Sequence, residues 1–231
     1  MRVLPQFAPL IIFCLLFSST IKAGGIQLGR TRIIYYANKK EAALPLINSE
    51  KELPWLVQSW GMNGDNKTRA TFIITPPLFR LNPQSEQSLR IIRTENIAVT
   101  DKESLYYLVV RMIPASDRQS EQNNVLHLIY KTQIKLFFRP SGLNGSAEDG
   151  CRQLQYSRSG NQLQIENHSD FYSVFDSVFV GSTLLRTADM VPPKSRVTLE
   201  MGANATAQTV SWRCINDYGG TSEKFTASLK S

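Results

Sequence analysis

The side chains that most often carry out chemistry are scarce in this chain. Its 231 residues include two histidines, His127 and His168, and three cysteines, Cys14, Cys151 and Cys214. His127 falls in a predicted strand and His168 in a predicted turn, and neither has an evident catalytic companion. The sequence also lacks the HExxH, GxSxG and CxxC motifs and a glycine-rich phosphate-binding loop. We therefore expect a protein that is not an enzyme and that binds no metal.

The amino terminus has the composition of a secretory signal peptide. Arg2 precedes an apolar run, Leu10–Phe17, and small residues follow up to Ala23. A basic start, a short apolar stretch and a small-residue end are typical of a cleaved export signal. The run is about half of the roughly 20 residues that a membrane-spanning helix needs. We predict that residues 1–23 are removed after Ala23, with Gly24 as the next best site; a retained membrane anchor is the alternative.

Cleavage at that site would change both the charge and the cysteine count. The formal charge falls from +7 to +5 because Arg2 and Lys22 are lost, and the remaining charges are spread along the chain without a basic run. This pattern does not predict nucleic-acid binding. Cys14 is lost as well, which leaves Cys151 and Cys214, and an exported protein usually joins such a pair in a disulfide. Two free buried thiols are the alternative.

Apolar and polar residues alternate along most of the chain, and helical periodicity is nearly absent. The alternation predicts strands separated by turns such as Asn63–Asn66 and Asn82-Pro83. Seven predicted strands precede Arg139: Ile26–Ala37, Ala42–Asn48, Leu56–Met62, Thr71–Leu81, Ser88–Thr94, Leu105–Ile113 and Val125–Phe138. Seven short strands with turns between them are typical of an immunoglobulin-like sandwich.

A second domain is predicted beyond a short linker. Residues 139–146 are rich in Pro, Gly, Ser and Asn, which interrupt regular structure. Six weaker apolar runs follow: Leu154–Tyr156, Gln162–Glu166, Tyr172–Val180, Arg196–Glu200, Thr209–Cys214 and Phe225–Leu229. The sequence therefore predicts an all-β protein with two immunoglobulin-like β-sandwich domains, at residues 24–141 and 142–231.

The last predicted strand of the first domain is apolar on both faces. Leu126, Leu128 and Tyr130 lie on one face, and Val125 and Ile129 lie on the other. An ordinary sandwich strand buries one face and exposes the other, so the second apolar row needs a cover. As an edge strand it would pair with a strand of another chain by β-augmentation. A central strand that is buried on both faces is the alternative.

Six segments, taken in order, resemble the periplasmic pilus (fimbrial) assembly chaperones of Gram-negative bacteria. They are Gly29–Tyr35 (GRTRIIY), Thr75–Leu81 (TPPLFRL), Glu103–Tyr107 (ESLYY), Arg111–Pro114 (RMIP), Ile134–Pro140 (IKLFFRP) and Ile215–Gly220 (INDYGG). Their order and spacing are specific, and they extend over essentially the whole mature chain. The resemblance implies two immunoglobulin-like domains in a boomerang arrangement, with a cleft that binds pilus subunits, and it implies no cofactor.

The resemblance also implies roles for particular residues. Arg32 and Lys135 match the cationic pair that binds the C-terminal carboxylate of the subunit, and a carboxylate that leaves water needs such charge-assisted partners. Leu126, Leu128 and Tyr130 match the donor row, whose side chains enter the subunit's hydrophobic groove. Strict alternation places Lys135 on the opposite face from this row, so we expect a twist or a bulge to turn it into the cleft.

Three further charged residues match an ionic link between the domains in this family. They are Glu103, Arg139 and Asp217, and the link would fix the interdomain angle. Three unrelated surface charges are the alternative. The short polar connection Ala115–Asn124 resembles the short-loop subclass of these chaperones.

The implied partners are pilus subunits and an outer-membrane usher, and the implied location is the periplasm. No nucleic-acid partner and no membrane insertion are expected, and an uncovered apolar edge predicts self-capping oligomers of the free protein. The alternative is a secreted structural or adhesive β-sandwich surface protein, pilin-like or lectin-like. A pilin, however, would carry an N-terminal donor extension and one incomplete domain, whereas this sequence predicts two domains and a surplus strand.

Overall fold

The computed structural model describes residues 24–115, 128–202 and 207–229. The predicted signal peptide, Leu126 and His127 lie outside the described residues. Within these ranges the chain is built almost wholly of β-strands, with one described helix of six residues, and the expected all-β class is confirmed. We call strands β1–β9 the first domain and the elements that follow the second domain.

The first domain has two facing sheets. One has the strand order β1 (Ile26–Leu28), β3 (Glu41–Asn48), β7 (Ser85–Arg93) and β5 (Phe72–Thr75). The other has the order β2 (Arg32–Tyr36), β9 (Tyr130–Arg139), β8 (Ser104–Pro114), β4 (Trp55–Asn63) and β6 (Leu78–Leu81). Neighbouring strands are antiparallel except for β2 and β9, which run parallel. The parallel pair brings the first and last parts of the domain together.

The core of the first domain lies between these sheets. Alternate residues point inward, as Leu44 and Leu46 do from β3, and Leu136 does from β9. These side chains are essentially inaccessible to water, which is what period-two alternation predicts for a two-layer sandwich. The inward-facing side chains of β9 thereby anchor this strand in the core.

Two of the predicted strands are each divided between the two sheets. The segment Ile26–Ala37 forms β1 in one sheet and β2 in the other, and Thr71–Leu81 forms β5 and β6 in the same way. Gly29 lies at the first division, where an added Cβ would lie 2.6 Å from the ring of Pro45. Pro76 lies at the second, and prolines have no N–H to continue a ladder. The single strands predicted there were therefore wrong.

The second domain also has two sheets. One has the order β10 (Gln155–Ser159), β11 (Gln162–Asn167) and β15 (Ser195–Glu200). The other has the order β13 (Thr183–Leu184), β12 (Ser173–Val180), β16 (Thr209–Cys214) and β17 (Phe225–Ser228), and β14 (Met190–Val191) pairs with β12. Their core contains Leu163, Ile165 and Trp212.

A short helix opens the second domain, and the sequence did not predict it. Helix α1 (Ala147–Arg152) begins after Ser146, whose hydroxyl accepts a hydrogen bond from the backbone N–H of Asp149 at 3.1 Å. This is the usual role of a serine at a helix N-cap. The helix carries Cys151, which forms a disulfide with Cys214 at the end of β16. The predicted disulfide pair is confirmed.

No helix within the described residues is both long and apolar enough to cross a membrane.

Candidate functional site

The two domains meet around Arg139, the last residue of β9. Its Nε donates a hydrogen bond to Glu103, the residue before β8, at 2.6 Å, and its Nη1 and Nη2 donate to the carboxylate of Asp217 at 2.6 and 2.9 Å. Such a two-donor fork matches the geometry of a carboxylate. The structure thus brings together the three charges that the sequence analysis grouped, two from the first domain and one from the second.

Glu103 is deeply buried in this contact, with only 3% of its surface exposed. Its Oε2 accepts a hydrogen bond from the backbone N–H of Tyr172 at 2.8 Å, and its own N–H donates to the carbonyl of Asp170 at 2.9 Å. Burial raises the pKa of Glu103, while Arg139 and the Tyr172 N–H oppose that rise. The Glu103 carboxylate therefore depends on these partners to stay charged in a contact that excludes water.

Arg139 is held just as firmly. Its guanidinium lies 5.5 Å from the ring centre of Tyr36 and 5.0 Å from that of Phe171, one ring from each domain. Burial alone would lower the pKa of Arg139, but the hydrogen bonds and charges of Asp217 and Glu103 raise it above its ordinary value. Arg139 is consequently a permanent positive charge at the junction.

Arg32 and Lys135 lie side by side next to this junction. The parallel register of β2 and β9 pairs Arg32 directly with Lys135. Arg32 is 7% exposed, and its Nη1 donates a hydrogen bond to the carbonyl of Ile215 in the second domain at 3.0 Å. Its Nε is buried without a partner, and no carboxylate among the described residues forms an ion pair with it. A buried donor without an acceptor carries an uncompensated desolvation cost.

Lys135 reaches across to the second domain as well. Its Nζ lies 2.7 Å from Oδ1 of Asp189. Burial lowers the pKa of Arg32, and the negative charges of Asp217, Asp189 and Glu103 oppose that effect. Two neighbouring cations thus face the second domain, and among the described residues only Lys135 has a carboxylate in contact.

No bulge is needed to turn Lys135 toward the second domain. The pairing of β9 with β8 is unbroken from Tyr130 to Phe138. Lys135 lies on the face opposite to Ile134 and Leu136, which are buried in the core. The expected bulge is therefore absent from this pairing, because the outer face of β9 is itself the face that meets the second domain, and the expected twist stays a prediction.

The edge of β9 is only partly covered. Strand β2 pairs with Lys135–Arg139, whereas β8 pairs with the other edge from Tyr130 onward. Within the described residues, the edge of residues 130–134 that faces away from β8 has no partner strand. A strand buried on both faces, the alternative considered above, does not describe this segment.

Apolar side chains are exposed at the start of β9 and at the two residues before it. Leu128, Ile129 and Tyr130 are 52%, 60% and 50% exposed. The ring of Tyr130 also lies 5.9 Å from that of Trp55, a residue at the rim of the core. Leu128 and Tyr130 share the face of the core row by alternation, and the third member of the donor row, Leu126, lies outside the described residues.

Sequence reasoning missed two residues of this site. Asp189 precedes the two-residue strand β14, and Ile215 contributes only its carbonyl oxygen. Asp189 lies in a loop without apolar periodicity. A contact made by a backbone carbonyl cannot be predicted from the residue type, because every residue has that carbonyl. Their roles depend on how the domains are placed, which no local pattern encodes.

Comparisons with known proteins identify the family of this two-domain chain. Residues 25–144 match the family model of the pili and flagellar-assembly chaperone PapD N-terminal domain, and residues 149–226 match that of the pili assembly chaperone PapD C-terminal domain. The chain is 37% identical to the probable fimbrial chaperone LpfB of Escherichia coli O157:H7, over 93% of each protein.

Solved structures agree in fold. The chain resembles one in the complex of the Salmonella enterica SafA pilin with the SafB chaperone, with a TM-score of 0.81, 34% identity and coverage of 91% of this chain and 99% of that one. It also resembles the Escherichia coli chaperone DraB, with a TM-score of 0.79, 34% identity and coverage of 89% and 98%. The two matched domain models, the fimbrial chaperone relative and the two-sandwich fold together show that this chain belongs to the PapD-like family of pilus-assembly chaperones.

Proposed function

We propose that this chaperone captures pilus subunits by adding strand β9 to them and by binding their C-terminal carboxylate between the domains. The observation that carries this proposal is the partly uncovered edge of β9, which lies next to two buried or half-buried cations. An open edge supplies backbone donors and acceptors to a partner strand. Arg32 and Lys135, at the end of this open edge, would fix the position at which the partner strand ends.

The apolar row supplies binding energy in this mechanism. Leu126, Leu128 and Tyr130 would enter a hydrophobic groove on a subunit that lacks its last strand. Complete burial of a large apolar side chain contributes about 1.5–3 kcal/mol. Because Leu128 and Tyr130 are already about half buried in the free protein, their gain on binding is smaller. The rest would come from main-chain hydrogen bonds along residues 130–134.

Arg32 and Lys135 supply specificity for a chain end. A terminal carboxylate is an anion fixed to the end of the backbone, and guanidinium and ammonium donors bind it with charge-assisted hydrogen bonds. The unpartnered Nε of Arg32 supports this role, since an incoming oxygen acceptor would relieve its desolvation cost.

The ionic contact of Arg139 with Glu103 and Asp217 would hold the two domains at the angle that this binding site needs. Arg32 and Lys135 belong to the first domain, and their present partners belong to the second. A change in angle would therefore separate the elements of the site. We infer a positioning role for the contact, with no direct part in subunit binding.

The proposal includes a cellular setting. We infer that the chain is exported by residues 1–23 and acts in the periplasm, where it folds and caps subunits and delivers them to an outer-membrane usher. The open edge of β9 also supports self-capping of the free protein when no subunit is present.

Co-expression with a candidate pilus subunit tests the proposal. We expect affinity purification of the wild-type protein to recover a one-to-one complex, and the Arg32→Ala/Lys135→Ala variant to recover none while it remains folded. The matched control is Lys39→Ala/Arg186→Ala, which removes two exposed cations. Recovery of the complex with both double variants would refute the carboxylate site. A folded wild-type protein that captures no pilin would favour a structural or adhesive surface role.

A further inference from the structure

Asp189 is fixed in position by the second domain. It directly precedes β14, and its carbonyl accepts a hydrogen bond from the N–H of Phe175 in β12 at 2.9 Å. The next residue, Met190, pairs with Val174 of the same strand. The backbone of Asp189 is thus part of the edge of a sheet, so its carboxylate is presented from a defined point toward the first domain.

The carboxylate of Asp189 lies where an anion would bind the cationic pair. Oδ1 is 2.7 Å from Nζ of Lys135, and the charge of Asp189 also acts on Arg32 and on Tyr107. Arg32 and Lys135 are register neighbours, so their positive charges repel each other across the ladder. Asp189 reduces that repulsion while the site holds no other anion.

We propose that Asp189 is an intramolecular competitor for the carboxylate site, which occupies Lys135 in the free chaperone and is displaced by the C-terminal carboxylate of a subunit. This inference rests on the proposed function of Arg32 and Lys135 and adds a residue that sets the affinity of their site. Capture would exchange one carboxylate for another on Lys135. It would also break an ion pair between the domains as the subunit takes its place.

The direction of the effect follows from the geometry. If Asp189 only positioned Lys135, its removal would weaken carboxylate binding, whereas removal of a competitor strengthens it. The side chain of Asp189 is 63% exposed, so its ion pair has the modest strength of a solvent-exposed pair. We therefore expect its loss to tighten binding of a carboxylate by about three- to fivefold.

Calorimetric titration with a peptide tests this inference. The probe is a synthetic peptide of the C-terminal strand of the co-purifying pilin, made once with a free carboxylate and once with a terminal amide. Asp189→Asn should bind the free-carboxylate peptide about three- to fivefold more tightly than wild type and leave the amidated peptide unchanged. The matched control Asp176→Asn removes a carboxylate of the same domain that forms no ion pair within the described residues.

The outcomes separate this inference from the function on which it rests. Loss of binding in Arg32→Ala together with tighter binding in Asp189→Asn would support both. Loss in Arg32→Ala with unchanged or weaker binding in Asp189→Asn would overturn the competitor role alone. Wild-type binding by Arg32→Ala would overturn the carboxylate site itself, and the competitor role with it. Equal tightening for the amidated peptide would also contradict competition for a carboxylate.

Discussion

At the scale of single residues, two buried asparagines end equivalent strands in the two domains. Asn48 closes β3, and its amide donates hydrogen bonds to the carbonyls of Leu53, Leu81 and Asn82 at 3.1, 3.3 and 2.9 Å. Asn167 closes β11 and makes three similar bonds, to Phe171, Val191 and Pro192. Each amide ties together backbone segments that no ladder connects. In the sequence, both residues look like ordinary turn-forming asparagines.

Asn48→Ala should therefore destabilise the first domain. The substitution leaves buried carbonyls without a donor, and we expect the free energy of unfolding to fall by about 3 kcal/mol. Chemical denaturation measures the change, with exposed Asn38→Ala as the matched control. A loss in Asn48→Ala no larger than in the control would contradict this role.

The charged residues of the site illustrate what sequence alone can predict. Glu103, Arg139 and Asp217 were grouped from motif position, and the structure places them in direct contact. Asp189 was missed, because nothing in its neighbouring residue types marks it as a partner of Lys135. Motif position predicts a residue that belongs to a family pattern; it does not predict the contacts that domain placement creates.

At the scale of elements, β9 has a buried end, and its other end together with the two residues before it is exposed. Ile134, Leu136, Phe137 and Phe138 are buried and Lys135 contacts Asp189 of the second domain, whereas residues 128–130 are about half exposed. The strand is therefore held firmly at one end and free for pairing at the other. A strand held in this way is preorganised for a partner, which lowers the entropy cost of binding.

Leu128→Glu should abolish or strongly weaken subunit capture without unfolding the chaperone. Leu128 is half exposed in the free protein, so a glutamate there is tolerated, but in the complex its charge would be buried in an apolar groove. Ile73→Glu on β5 is the matched control, since Ile73 is 56% exposed on the other sheet. Co-purification with the pilin measures the difference, and normal capture by Leu128→Glu would mean that β9 is not the donor.

The disulfide acts on the second domain in a different way. It joins α1 to the end of β16 across a sequence separation of 63, and the indole N–H of Trp212 donates a hydrogen bond to the carbonyl of Cys151 at 3.0 Å. For a loop of this length, the chain-entropy account gives about 4 kcal/mol of stabilisation. Cys151→Ala/Cys214→Ala should lower the free energy of unfolding by about that amount. A change below about 1 kcal/mol in denaturant unfolding would contradict this role.

Sequence periodicity predicted most of the elements but not their division between sheets. The segment Ile26–Ala37 was predicted as one strand, yet Gly29 lets the backbone approach Pro45 closely and the chain changes sheet there. Alternation reports only which side chains face the core, and both sheets of a sandwich share one core. The sheet to which a strand belongs therefore cannot be predicted from the alternation of apolar and polar residues.

At the scale of the whole molecule, charged residues hold the two domains together. Besides the contact of Arg139, the Nζ of Lys194 in the second domain lies 3.1 Å from Oδ2 of Asp101 in the first. The two contacts differ in burial: Glu103 is almost inaccessible, whereas Lys194 and Asp101 are exposed on the surface. The buried contact should therefore dominate the interdomain geometry.

Arg139→Ala should destabilise the protein and loosen the domains. It leaves Glu103 buried without its counter-ion, which costs about 3–5 kcal/mol, whereas Lys194→Ala removes a partly exposed lysine from its ion pairs with Asp101 and Asp170, which solvent weakens. Denaturant unfolding measures the stability, and small-angle X-ray scattering measures the spread of interdomain distances. An Arg139→Ala protein as stable and as compact as Lys194→Ala would show that the contact does not set the angle.

The most direct test of the central claim follows the backbone of β9 itself. Hydrogen-exchange mass spectrometry would compare the free chaperone with its purified complex with the pilin, using β17 as an internal reference strand. If β9 is added to the subunit, amides in residues 128–134 that face away from β8 will exchange more slowly in the complex, and those of β17 will not change. Unchanged exchange in residues 128–134 of a stable complex would mean that the subunit is bound elsewhere, and would contradict the account.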